Sequence, residues 1–118
     1  MNIISKKANI GKNVEIGDYT IIEDGCIIGD NCKIGPFSII RKNAKIGNNC
    51  KLTAYDEIRE NVVIGDNCTF GSRCTICAET IIGNNVTIKY GFVSTTMDFN
   101  SKKDLKAGTV GDNSMVGA

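Results

Sequence analysis

The chain has 118 residues and a formal net charge of +1. That length suits one domain, and the near-neutral balance offers no strong field for nucleic acid or an anionic membrane. Aromatic residues make up only 6%, tryptophan and histidine are absent, and 13 glycines point to repeated turns rather than a mixed globular core. The opening Met1-Asn2-Ile3-Ile4-Ser5-Lys6-Lys7 has no apolar run long enough for a signal peptide or a membrane span. The expected compartment is therefore the cytoplasm, where thiols stay reduced.

Taken in chain order, the elements are hexads. Stepping by six from Ile4 meets Ile10, Ile16, Ile22, Ile28, Ile34, Ile40, Ile46, Leu52, Ile58, Ile64, Phe70, Ile76, Ile82 and Ile88, every one large and apolar. Two places before these stops stand mostly small residues, among them Ala8, Cys26, Ser38, Cys50 and Cys74. In a short strand the two positions share a face, so the large residue fills a narrow core and the small one fits near a corner. Gly and Asn between them tolerate the left-handed backbone angles of tight corners. Each hexad is one strand plus one corner, and three hexads close a triangular coil.

An eighteen-residue super-period marks the sides of that triangle. Ile10-Gly-Lys-Asn-Val is echoed at Ile28, Ile46, Ile64 and Ile82, which predicts a ladder of Asn13, Asn31, Asn49, Asn67 and Asn85 about 4.8 Å apart. On the side of Ile4, Ile22, Ile40, Ile58 and Ile76, the Gly is replaced by Ser5, Glu23, Arg41, Arg59 and Cys77. Outward positions carry Ile3, Ile21 and Ile39 on one side and Ile27, Val63 and Ile81 on the next, and such exposed isoleucines suggest burial against another subunit.

The register fails after Ile88, because the next stop is Ser94, and it returns at Val110-Gly111-Asp112-Asn113-Ser114. Residues 94–109 take one side of a coil with sixteen residues in place of six, so about ten of them leave it as a loop, and long loops inside compact repeats are usually functional. A tolerated insertion is the plainer alternative.

This pattern resembles the hexapeptide-repeat acyltransferase superfamily over essentially the whole chain. The resemblance implies an all-β, left-handed parallel β-helix as a single domain over 1–118. Periodicity alone gives only a parallel β-helix, and the usual crossover rule favours the other hand. It also implies an acetyl-CoA-dependent transferase acting on an amine or hydroxyl of a sugar or sugar nucleotide, with active sites between the subunits of a homotrimer.

In many members a Thr-His-Asp stretch lies at such a break, its His serving as general base. Thr96-Met97-Asp98 looks like that stretch with Met97 at the histidine position, and a thioether cannot take a proton. The loss either removes transfer to hydroxyls or marks a mechanism in which the acceptor amine is itself the nucleophile. Asp98 is then the candidate to orient or deprotonate that amine, unless it only caps a turn. Thr95, Thr96 and Asn100 are candidate acceptor contacts.

Arg41 and Arg59 either meet nucleotide-sugar phosphates or form a charge ladder with Glu23. Lys102, Lys103 and Lys106 either reach the phosphates of coenzyme A or keep the loop solvated. Gly117-Ala118 resembles the start of the family's Ile-Gly-Ala coils that line the pantetheine channel. Stopping there, mid-coil, suggests a shortened chain with part of the donor site missing. A non-catalytic trimeric scaffold is the alternative function.

The six cysteines divide into five inward corner residues, read as reduced packing groups, and Cys77, read as pointing out. Without histidine no zinc site of the three-histidine kind is expected. Asp56 is the odd inward residue: a carboxylate there must find hydrogen bonds or distort the corner, so Thr53–Glu57 is expected to bulge outward, either as a local turn or as a functional feature.

Overall fold

A computed structural model describes residues 1–94 and 109–116. Among them, 17 two-residue strands form three parallel sheets of five, six and six strands. Sheet one begins with Ile3–Ile4, sheet two with Asn9–Ile10 and sheet three with Glu15–Ile16. Each strand pairs in register with the one eighteen residues on, as Ile22 does with Ile40 and Ile28 with Ile46. The chain thus winds as a left-handed β-solenoid of about five turns.

The hexad stops fill its interior. Ile22, Ile40, Ile58, Ile64, Phe70, Ile82 and Ile88 are all buried, as are the corner residues Cys26, Cys32, Ala44, Cys50, Val62 and Val86. Ile4 is partly exposed, since no described coil lies beneath it. Of the outward apolar residues, Ile3, Ile27, Val63 and Ile81 are exposed, whereas Ile21 and Ile39 are half-buried.

The corner between sheets two and three carries the asparagines, and Asn13, Asn31, Asn49, Asn67, Asn85 and Asn113 all have φ of 57–60°. A second ladder runs one residue earlier. The Asp30 N–H donates to Asn48 Oδ1, Asn48 N–H to Asp66 Oδ1, and Asp66 N–H to Asn84 Oδ1, each at 2.8 Å. Acid and amide alternate through Asp30, Asn48, Asp66, Asn84 and Asp112, so no two carboxylates are nearest neighbours. Each such side chain folds over the glycine of the coil before it. A Cβ on Gly47 would stand 2.6 Å from Gly65 O, closer than atoms pack.

The corner between sheets three and one holds large side chains in the same left-handed conformation. Tyr19, Phe37, Tyr55 and Arg73 have φ of 56–61°, a strain of roughly 1–2 kcal/mol each for residues with a Cβ. Their rings stack, with centroids 5.2 Å apart for Tyr19–Phe37 and 4.9 Å for Phe37–Tyr55. The Arg73 guanidinium caps the column 4.9 Å above the Tyr55 ring. Stacked pairs contribute about 0.5–1.5 kcal/mol each, which offsets part of that strain.

Two expectations for single residues need correction. Cys77 does not point out: it is 8% exposed and its sulfur lies 3.1 Å from Thr80 Oγ1. The Asp56 carboxylate does not bulge away but stays at 1% exposure, with Oδ1 accepting the Cys74 N–H at 2.8 Å.

All six cysteines are free and buried. The inward thiols have a shared task, each donating to a carbonyl fifteen residues later: Cys26 to Arg41 O at 2.9 Å, Cys32 to Gly47 O at 3.0 Å, and Cys50 to Gly65 O at 3.1 Å. A weak donor that also packs as a small apolar group suits a corner where the carbonyl turns inward. The flanking thiols of Cys32 and Cys68, together with burial, push the Cys50 thiol up.

Candidate functional site

The remaining corner, between sheets one and two, is the one the chain leaves. In the last described pass along sheet one, Val93 bridges Thr75 and the Ser94 N–H donates to Thr75 O at 2.8 Å. The chain rejoins the coil at Thr109–Val110, paired with Ile81–Ile82 of sheet two. The interruption therefore falls directly beyond Cys77-Ala78-Glu79-Thr80.

Below the break the backbone ladder is regular. Arg41 N–H donates to Ile58 O at 2.8 Å, and Arg59 N–H to Ile76 O at 3.0 Å. At the next step the Cys77 N–H donates instead to the hydroxyl of Ser94, at 2.9 Å. Thr80 Oγ1 donates to Cys77 O at 2.9 Å and closes the turn. Ser94 occupies a stop position where every earlier coil of sheet one has isoleucine, while Phe92 takes the small corner position and packs against the core. The size order of the hexad is inverted at the point of departure.

The same corner carries a charge network. The guanidinium of Arg41 donates from Nε to Glu57 Oε2 at 2.9 Å and from a terminal nitrogen to Glu23 Oε2 at 3.2 Å. The Arg59 Nε lies 3.2 Å from Glu60 Oε1 and 3.7 Å from Glu57 Oε2. The hydrogen bond from Arg41 to the Glu57 carboxylate raises the Arg41 pKa above its ordinary value. The Glu60 backbone N–H, and then Arg59, lower the Glu60 carboxyl. These side chains are 26–45% exposed, so each pair contributes about 0–1 kcal/mol to stability. Three carboxylates surround two guanidiniums, and an anionic ligand at this corner has them as competitors.

Of the residues singled out from sequence, the structure brings Arg41 and Arg59 together on this corner. Thr95, Thr96, Met97, Asp98, Asn100, Lys102, Lys103, Lys106, Gly117 and Ala118 lie outside the described residues. Ser94, Cys77 and Thr80, which form the floor beneath the break, were not candidates. The signal that finds them is the hydroxyl at a stop position. Among the described residues no group of three or more His, Cys, Asp or Glu side chains could hold a metal ion, and no helix is long and apolar enough to cross a membrane.

The family model described as bacterial transferase hexapeptide (six repeats) matches residues 7–42, 25–55 and 57–91. The chain belongs to this family. No curated protein matches it. Among solved structures it is similar to a UDP-N-acetylglucosamine acyltransferase from Arabidopsis, with a TM-score of 0.83 and 22% identity over 98% of this chain and 44% of that one. A GDP-perosamine N-acetyltransferase from Caulobacter crescentus, solved with CoA and GDP-perosamine, gives a TM-score of 0.62 and 20% identity over 98% of this chain and 53% of that one. The acetyltransferase domain of PglB from Neisseria gonorrhoeae gives 0.50 and 19% over 80% and 53%. The hexapeptide-repeat chain thus spans about half the length of the structures it matches, and at these identities the likeness is one of fold.

Proposed function

We propose that this hexapeptide-repeat protein is an acyltransferase that moves an acetyl group from acetyl-CoA to an amine or hydroxyl of a sugar or sugar nucleotide. We further propose that it works as a cytoplasmic homotrimer. The observation that carries this reading is the register break between Ser94 and Thr109, which replaces one corner of an otherwise regular coil with a longer segment bearing Thr96-Met97-Asp98. Membership of the transferase family and the sugar-modifying activities named for similar folds support it.

In the proposed reaction the acceptor nitrogen or oxygen attacks the thioester carbonyl. The new C–N or C–O bond forms, the C–S bond breaks, and coenzyme A leaves as the thiol with the acceptor's proton. Histidine is absent from the sequence, so the general base is assigned to Asp98, whose carboxylate best suits an amine that is already a competent nucleophile. Thr95, Thr96 and Asn100 are assigned to the acceptor, and Lys102, Lys103 and Lys106 to the phosphates of coenzyme A, with Gly117 and Ala118 beside its pantetheine arm. Arg41 and Arg59 are assigned to acceptor phosphates only insofar as these displace Glu23 and Glu60.

The test is release of free thiol from acetyl-CoA in the presence of amino sugars and nucleotide-linked amino sugars. Turnover with at least one acceptor, reduced at least tenfold in Asp98→Asn, is expected. No turnover with any acceptor and no coenzyme A binding would leave the non-catalytic scaffold as the function. Mass measurement in solution tests the trimer. Charged substitutions at Ile21 and Ile39 should dissociate it, and an unchanged trimer would rule out that interface.

A further inference from the structure

The inward column at the aromatic corner reads Thr20, Ser38, Asp56 and Cys74 from coil to coil. The first two are neutral hydroxyls, both fully buried. Thr20 donates to Gly35 O at 3.2 Å, and Ser38 Oγ accepts the Asp56 N–H at 3.2 Å. Asp56 is the one ionisable carboxyl in the column. Its Oδ1 accepts the Cys74 N–H, and its Oδ2 is the single buried side-chain oxygen or nitrogen without a hydrogen-bond partner among the described residues.

Among the described residues no cation is paired with it there. The coil below presents the uncharged Ser38. The coil above presents the Cys74 thiol, which donates to Lys89 O at 3.2 Å. Arg73 lies outside the corner, on the Tyr55 ring. Glu57, the next residue along, turns outward to Arg41 and Arg59. Against its loss of water, an ionised Asp56 has the Cys74 N–H, with weaker help from the Thr53 N–H and the Cys74 thiol, and no opposite charge among the described residues.

We propose that Asp56 is a proton-controlled latch, held as the neutral acid in the folded coil, whose ionisation loosens the aromatic corner. Burial, acting in the same direction, pushes its carboxyl up to about 7, against an unfolded value of about 3.9. The folded state then binds more protons than the unfolded state between these two values. The stabilisation from the neutral acid is complete below about pH 4, falls as pH rises through about 7, and is absent above it. The loosened segment is attached to Tyr55, so the ring column from Phe37 to Arg73 opens with it.

The experiment is chemical unfolding of the full chain between about pH 5 and 8.5, with tyrosine near-ultraviolet circular dichroism of the folded protein as a second readout. The native protein is expected to lose stability from about pH 5 to about 7 and to level off above it. Raising the carboxyl from about 3.9 to about 7 corresponds to as much as a thousandfold in the unfolding equilibrium between about pH 4 and 7. Asp56→Asn keeps the shape, and Asp56→Ser repeats the side chain already present in the coil below. Both should lose this pH dependence and hold the tyrosine signal constant. Equal slopes in native protein and variants, or a flat native profile, would overturn the proposal. So would a failure of both neutral variants to fold, because a neutral group is what the folded corner is inferred to hold.

Discussion

Replacing Gly47 by alanine should destabilise the solenoid by about 1.5–5.5 kcal/mol, and the figure follows from the geometry of one corner. Gly47 does not have the positive φ that would itself exclude alanine, so the effect is one of space alone. The new Cβ would stand 2.6 Å from Gly65 O and 2.7 Å from Gly65 C, and closer still to Asp66 Oδ1. Two of these atoms are backbone of the next coil. The third belongs to a carboxylate pinned by the Asn48 N–H at 2.8 Å. Moving the coil costs about 1–3 kcal/mol of overpacking strain, and releasing the carboxylate forfeits a charge-assisted hydrogen bond of about 1.5–3 kcal/mol. The lower entropy of an unfolded alanine returns about 0.4–1 kcal/mol. Urea unfolding followed by far-ultraviolet circular dichroism should lower the midpoint for Gly47→Ala accordingly. A midpoint equal to that of the parent would refute the reasoning that glycine is required by the side chain above it.

Phe70→Ala empties the largest fully buried side chain, which lies between Leu52 and Ile88 in sheet three, and should cost about 3–5 kcal/mol in the same assay. A thiol reagent should leave the folded protein nearly unlabelled and modify all six cysteines in denaturant, as their burial requires. Rapid labelling of Cys32, Cys50 or Cys68 in the native state would contradict the packing described. Arg41→Met should change stability by no more than about 1 kcal/mol, because its partners Glu23 and Glu57 remain partly hydrated, and a loss several times larger would mean the network is tighter than its exposure suggests.

The coil was legible because its physics is strictly local and periodic. A large residue every six places admits one inward face, and each predicted stop from Ile22 to Ile88 is buried. The Asn ladder was legible for the same reason, since Asn13 and its counterparts recur at eighteen residues with a residue type that left-handed backbone favours. The aromatic column was equally periodic but was missed, because only three coils carry a ring there, at Tyr19, Phe37 and Tyr55, Arg73 follows, and none of these residues favours the left-handed conformation it adopts. The orientation of Cys77 was misread because its corner position carries charge in the coils below, and only the hydroxyls of Thr80 and Ser94 make an inward thiol comfortable. Asp56 was recognised as anomalous, but sequence does not say whether an anomalous carboxyl leaves the core or stays in it neutral. The candidate site was legible as a break in register and less so as chemistry, since spacing locates the corner at which the chain departs but not how Arg41 and Arg59 divide themselves between Glu23, Glu57 and Glu60.

Transfer of the acyl group is the claim at the centre of this account, and mass spectrometry of the acceptor tests it most directly. Incubation with acetyl-CoA and a nucleotide-linked amino sugar should add the mass of one acetyl group to the sugar, with coenzyme A released in equal amount and the reaction suppressed in Asp98→Asn. An acceptor that stays unmodified across amine- and hydroxyl-bearing sugars, while the protein remains folded, would contradict it.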